Sequence, residues 1–250
     1  MSLKSFLLLL VLMQSILSAE TITIAVAANV SYAMDDLKKA FVKTAPETEV
    51  RVILGGSGKL TAQISNGAPY GLFMSANMAY PEALYKAKVA TTKPVVYAKG
   101  ALAYLSVKPQ DFFKGAKLLT SEKIRRIAIA NPKTAPYGLA AVEALKHAGV
   151  YEAVKSKFVY GESVSQTVSY ATTAADIGIV AKSALYSANM AQYKEGIHWK
   201  ALEPKLYSPI KQGMVLLKAG EKNPSYRAFY DFMLSKPAQD ILKQYGYLLP

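Results

Sequence analysis

The chain has 250 residues, 52% of them hydrophobic and 19% charged, enough to bury one large core or two smaller ones; its 15 Gly and 12 Pro follow no period, which excludes disordered, collagen-like and low-complexity classes. The absence of Cys excludes disulfides, thiol nucleophiles, iron–sulfur clusters and thiolate zinc, and two His, His147 and His198, are too few for an imidazole-rich metal cage. A net charge of +13 attracts anions of any kind, from nucleic acid and acidic lipid to small oxyanions.

The chain opens as an export signal. Lys4 precedes the apolar run Phe6 to Met13, and Ser15 to Ala19 close the stretch before Glu20, which gives the charged start, apolar core and small-residue exit of a secretory leader. The apolar core falls short of the ~20 residues a membrane span needs. Cleavage is expected after Ala19, so residues 1–19 are read as a signal peptide. Loss of Lys4 leaves a net charge of +12, and with no Cys there is no residue to acylate as a lipoprotein anchor. A soluble periplasmic protein is expected, with no nucleic-acid partner.

Strand and helix signals then alternate. Ile22, Ile24 and Val26 mark a buried strand over 21–27, and Met34, Leu37 and Phe41 form one stripe of the helix that follows. Residues 49–54 read as a second strand, the run from Gly55 to Gly58 as a turn, and Leu60 and Ile64 as the apolar side of a short helix. A third strand over 72–75 leads to a helix over 80–86 with Asn77 as a plausible cap. Further strands are expected over 95–97, 101–107, 127–130, 158–160, 177–180 and 214–217, with helices between the 127–130, 158–160 and 177–180 strands. Tyr226, Phe229, Tyr230 and Met233 form the face of a late helix. This pattern predicts an α/β fold with mainly parallel sheet. The number of βα units is large for one sheet, so two lobes are expected: 20–95 with 208–250, and 96–207.

Enzyme motifs fail on inspection. The run from Gly55 to Lys59 approaches a nucleophile elbow, but Lys59 stands where the second Gly belongs; as a phosphate-binding loop it lacks the first Gly, at Ile53, and the Ser or Thr, at Leu60. His147 closes a helix just before Gly149, where a cation complements the helix dipole, and His198 beside Trp199 reads as a surface or packing residue. Only four of the 30 basic residues are Arg, and all are dispersed, unlike a nucleic-acid surface. Carboxylate pairs that meet only in space are invisible in the sequence, so an exported hydrolase using cleft carboxylates stays open.

What remains is a repeated arrangement. Four times a small or polar residue meets the start of a helix: at Ala28 to Ser31, Gly56 to Lys59, Ala135 to Gly138 and Glu162 to Ser165. Helix starts carry free N–H groups and positive dipole character, and in α/β sheets they lie at the ligand-binding ends of the strands. Convergence of these four from two lobes would build a neutral pocket of donors for an anion.

On these residues the sequence resembles a known family. Ala27 to Val30, Gly56 to Leu60, Gly67-Ala68-Pro69, Leu72 to Ala76, Asn131-Pro132 with Ala135 to Gly138, and Ile177 to Val180 together resemble the periplasmic molybdate-binding proteins of ABC importers, in order from about Thr21 to Tyr247. The resemblance implies a type II periplasmic-binding fold, closing on molybdate or tungstate, that delivers the anion to a membrane permease. It implies a non-enzymatic, monomeric receptor with no cofactor other than that ligand, whose metal atom is held only as the oxyanion. The positions matching the family's neutral donors are Asn29, Ser57, Tyr137 and Val164, with Ala28 as a further backbone donor. Ala181 stands where many members carry a Tyr hydroxyl, and Gly71 and Asn77 replace acidic residues common in the family. The Asn29 amide and Ser57 hydroxyl are expected to donate to the anion, and Lys59 to be peripheral. A receptor for sulfate or another small oxyanion is the alternative.

Overall fold

The computed structural model describes residues 20–250; the leader expected over 1–19 lies outside the described residues. Strand β1 (Glu20–Ala27) buries Ile22, Ile24 and Val26 and passes through a single 3-10 turn into helix α1 (Ser31–Val42). Strand β2 (Thr48–Gly55), helix α2 (Ser57–Ser65), strand β3 (Leu72–Met74) and helix α3 (Ala79–Lys86) follow. Met78 rather than the expected Asn77 is the N-cap of α3, but from one residue earlier the Asn77 side-chain carbonyl still accepts the Tyr80 N–H at 3.3 Å. Strand β4 (Val95–Gly100) ends one residue before β5 (Leu102–Leu105), and the chain continues through β6 (Ile127–Ala130), α4 (Pro136–His147), α5 (Tyr151–Val154), β7 (Phe158–Gly161), α6 (Val164–Thr173), β8 (Ile177–Ala181) and β9 (Trp199–Ala201). Strand β10 (Ile210–Leu216) and helices α7 (Pro224–Leu234) and α8 (Lys236–Gln244) complete it.

The strands form two five-stranded sheets, ordered β2-β1-β3-β10-β4 and β7-β6-β8-β5-β9. In the first, β1 pairs in parallel with β2 and β3, while β10 runs antiparallel to β3 and β4. The second repeats the scheme: β6 is parallel to β7 and β8, and β5 is antiparallel to β8 and β9. Both sheets are therefore mixed, and parallel ladders make up half of each rather than most of it. The antiparallel partners arise because β5 and β10 each enter their sheet directly from the other lobe, with no crossover helix to reverse them. Pairing with β10 keeps all of Val95–Gly100 in the first sheet, although the expected boundary fell at 95/96.

Each sheet carries its own core. In the first lobe Phe41 of α1 meets Phe229 of α7 edge-on, with ring centroids 5.0 Å apart, over Ile22, Ile24, Leu37 and Met233. Burial of side chains of this size contributes about 1.5–3 kcal/mol each, so α7 and α8 are anchored to the lobe that the chain left at β4. In the second lobe Ile127, Ile129, Leu145, Val154 and Ile177 pack together, and Ala27 and Ala76 of the first lobe join that cluster beside Tyr137 and Val164. The two lobes thus meet through small apolar residues at the carboxyl ends of β1 and β3.

Candidate functional site

The helix starts singled out in the sequence surround one small cavity between the sheets, lined by Ala27, Ala28, Asn29, Gly55, Gly56, Ser57, Ala76, Ala135, Pro136, Tyr137 and Val164. Its lining includes no charged side chain. Ala28 and Asn29 stand in the 3-10 turn that leads from β1 into α1. Ser57 is the first residue of α2 behind Gly56, whose extended φ of −65° and ψ of 139° turn the chain out of β2. Tyr137 is the second residue of α4, after Pro136, and Val164 is the first of α6. At these positions the N–H groups precede any intrahelical acceptor, so they are donors held in place by the helices behind them.

Ser57 is held more tightly than its helix position alone requires. Its hydroxyl oxygen accepts the Ala76 N–H at 3.0 Å, both groups being buried, which leaves the hydroxyl proton for an acceptor in the cavity. Close approach from the second lobe shapes this corner: a Cβ on Gly56 would lie 3.0 Å from the Glu162 carbonyl.

Tyr137 and Asn29 differ from a simple reading of their side chains. The Tyr137 phenol turns away to the join between lobes, where its oxygen accepts Gln212 Nε2–H at 3.1 Å, and burial pushes its pKa far above the usual phenol range. What Tyr137 offers the cavity is its N–H. The Asn29 amide, expected to donate to an anion, instead gives both its donors to protein: Nδ2 reaches Gln212 Oε1 at 2.8 Å and Tyr247 Oη at 2.8 Å. Asn29 Oδ1 has no partner, the one buried side-chain polar atom of which this is true among the described residues.

Gln212, Tyr97, Tyr247 and Ser183 complete this buried cluster, and sequence reasoning missed all four. Tyr97 Oη donates to Gln212 Oε1 at 2.9 Å, Tyr247 Oη to the Asn29 carbonyl at 2.8 Å, and Ser183 Oγ to the same carbonyl at 3.0 Å. Gln212 is fully buried inside the apolar strand β10, and a buried polar residue within such a run was the available signal.

Lys59 lies outside the cavity lining and pairs with Glu162 across the lobes at 2.8 Å, both side chains more than half exposed. His147 ends α4 with Nδ1 2.8 Å from the Leu206 carbonyl, and His198 Nδ1 accepts the Lys194 N–H at 3.0 Å. Ala181 is buried in β8, and Gly71 is tucked against the Tyr226 ring, where a Cβ would come within 2.3 Å. Among the described residues no group of three or more His, Asp or Glu could hold a metal cation, and no helix is long and apolar enough to cross a membrane.

A sequence profile of the bacterial extracellular solute-binding proteins matches residues 22–248. The chain belongs to that family. This solute-binding protein is 37% identical to the molybdate-binding protein ModA of Azotobacter vinelandii over 92% of its own chain and 90% of that protein. It is 36% identical to ModA of Rhodobacter capsulatus over 92% and 89% of the two chains. The solved structure of the Azotobacter vinelandii periplasmic molybdate-binding protein superposes with a TM-score of 0.83 at 33% identity, covering 92% of this chain and 99% of that one. The solute-binding protein thus shares the two-lobe fold of that structure throughout its described length.

Proposed function

We propose that the protein is an extracytoplasmic receptor that captures molybdate or tungstate between its lobes and delivers it to the permease of an ABC importer. Its work is binding and release rather than catalysis. The observation that carries the reading is the donor set. Helix starts from both lobes and the Ser57 hydroxyl, fixed by Ala76, face one cavity whose lining holds no charged side chain. A tetrahedral dianion presents only acceptors, and preorganised N–H and O–H dipoles satisfy it without a full counter-charge. The close ModA relatives support molybdate as the guest.

Phosphate at neutral pH carries a proton, and burying that donor among donors costs about 1–3 kcal/mol. Sulfate matches in charge and shape, so its exclusion falls to size and to how far the lobes shut. A cleft hydrolase needs paired carboxylates, and none lines the cavity. We place Ala28, Asn29, Ser57, Tyr137 and Val164 at the oxyanion. With this we propose a periplasmic monomer, exported by the leader over 1–19 and without a nucleic-acid partner. Its lobe division runs 20–100 plus 208–250 against 101–207, as the sheet pairing supports. Calorimetric titration with molybdate, tungstate, sulfate and phosphate tests the reading. Tight binding of the first two, with sulfate and phosphate weak, is the expected result; no heat with any of the four would overturn it.

A further inference from the structure

Helix α1 buries Ala33, Met34, Leu37 and Phe41 as one stripe in the core of its own lobe. Off that stripe, Ser31, Tyr32, Asp35, Asp36 and Lys39 line one wall of a groove between the lobes, whose other wall is Ser165, Val168 and Ser169 of α6 and the segment 187–190. Four of the five suit a solvated face. Tyr32 is the exception, an aromatic ring on the side of an amphipathic helix where polar residues belong.

The ring is nonetheless largely out of water. It packs against an apolar cluster that includes Leu105, Val168, Val180, Leu185, Met190 and Trp199, and every buried member of that cluster belongs to the second lobe. Helix α1 also runs against the turn over 182–186 of that lobe, which supplies Ala184 and Leu185 to the same cluster. Burial pushes the Tyr32 phenol well above its ordinary range. The contact therefore joins lobe to lobe and adds nothing to the core of its own lobe. It differs in kind from the exposed Lys59–Glu162 pair, whose charges water solvates equally well when the lobes part. Parting them at Tyr32 returns an aromatic ring and its apolar seat to water, which is unfavourable.

We propose that Tyr32 is an affinity-setting latch: its ring enters the apolar cluster of the second lobe as the cleft shuts and holds the lobes closed over the guest without touching it. The inference rests on the oxyanion-receptor reading above. Tyr32 lies outside the cavity lining, so it bears on binding only through closure. The apparent dissociation constant is the intrinsic one divided by the fraction of chains in the closed, binding-competent form. A latch raises that fraction for every guest alike. It governs how tightly an anion is held, and the donors of the cavity govern which anion is held.

Tyr32→Ala removes the ring, and Tyr32→Phe keeps it without the hydroxyl. Calorimetric titration of the full mature chain with molybdate and with tungstate, paired with urea unfolding of the ligand-free protein, separates a latch from a structural residue. In Tyr32→Ala both dissociation constants are expected to rise by the same factor, about tenfold or more, while the ligand-free unfolding midpoint stays near wild type. Tyr32→Phe should bind as wild type does. Unchanged molybdate affinity in Tyr32→Ala overturns the proposal; so does an equal loss in Tyr32→Phe, which assigns the effect to the hydroxyl, or a lowered ligand-free midpoint, which makes the ring part of its own lobe. If Tyr32→Ala fails to fold, hydroxyl-radical footprinting of wild type decides. Tyr32 should be oxidised without molybdate and protected several-fold with it, and equal labelling overturns the proposal. Wild type that binds neither anion removes the receptor reading and this inference together, whereas tight wild-type binding that Tyr32→Ala leaves unchanged removes the inference alone.

Discussion

The Gly58 N–H donates to the Thr134 carbonyl at 2.9 Å, joining the first turn of α2 in one lobe to the loop before α4 in the other. A main-chain bond across the cleft mouth requires the two backbones to approach with no side chain between them. The space confirms it, since a Cβ on Gly58 would stand 2.9 Å from that carbonyl and 2.8 Å from Tyr80 Oη. The lobes are therefore shut at this edge, and Lys59 and Glu162 meet just outside it.

Gly58→Ala is expected to hold the cleft ajar. Its φ is not in the left-handed region, so the substitution costs the fold little and the closed state much. Ligand affinity should fall by about tenfold or more, the equivalent of ~1.4 kcal/mol, while the unfolding midpoint stays near wild type. Small-angle scattering with saturating ligand checks the cause: the variant should stay more extended than liganded wild type. Equal compaction of the two would mean that the contact relaxes without consequence.

Ser57→Ala should lower both affinity and stability. Loss of a hydrogen bond to a charged guest costs about 1.5–3 kcal/mol of binding, and the Ala76 N–H, buried and left without its acceptor, costs a further ~1–3 kcal/mol of fold stability. Calorimetry and urea unfolding read the two losses separately. Wild-type affinity in this variant would remove the hydroxyl from the site.

The Lys59–Glu162 pair is expected to matter little by comparison. Both side chains are more than half exposed, and pairs of that kind contribute about 0–1 kcal/mol, screened further by salt. Lys59→Ala should therefore weaken binding less than Ser57→Ala, and the deficit should vanish in high salt. A large, salt-insensitive loss would show that the Lys59 charge reaches the guest.

How much of this was readable without coordinates follows from the range of each interaction. The helix starts that carry Ser57, Tyr137 and Val164 were readable because a helix start is a local signal, set by a few neighbouring residues, and the strand–helix alternation ordered them along the chain; the choice of those residues within them came from the family resemblance. The orientation of Asn29 could not, because Gln212 lies 183 residues away and Tyr247 218. The antiparallel entry of β10 was hidden for the same reason: a strand of buried apolar residues reads alike in either direction. Helix α8 went unread although Ala238, Ile241 and Leu242 stand at i, i+3 and i+4 on its core face, because nine residues give that stripe only about two turns to show itself.

Gly100→Ala should disturb the cluster behind the cavity without touching the cavity itself. At Gly100 a Cβ would come within 2.0 Å of Tyr137 Oη and 2.8 Å of Gln212 Nε2, both fully or almost fully buried. Overpacking of this kind costs about 1–3 kcal/mol, and here it must also break the Gln212–Tyr137 bond. Urea unfolding should show the loss, and adding Tyr137→Phe, which removes the clashing oxygen, should recover part of it. No recovery in the double variant would place the strain elsewhere.

The same buried phenols set the alkaline limit of the fold. In the unfolded chain Tyr247 ionises near 10.0, whereas burial holds it up to about 12 in the folded protein. Between those values the unfolded state has released a proton that the folded state keeps, so stability is complete below about pH 10 and falls as pH rises toward 12. The slope contributed by one such group reaches about 1.4 kcal/mol per pH unit. Tyr97 and Tyr137 are raised in the same direction by burial and steepen the fall. Urea unfolding from neutral pH to about pH 11 should give a plateau followed by a decline, with the Tyr247→Phe variant, less stable at neutral pH for want of its bonds to Asn29, declining less steeply. Parallel declines in the two proteins would show that Tyr247 titrates in the fold as it does in water.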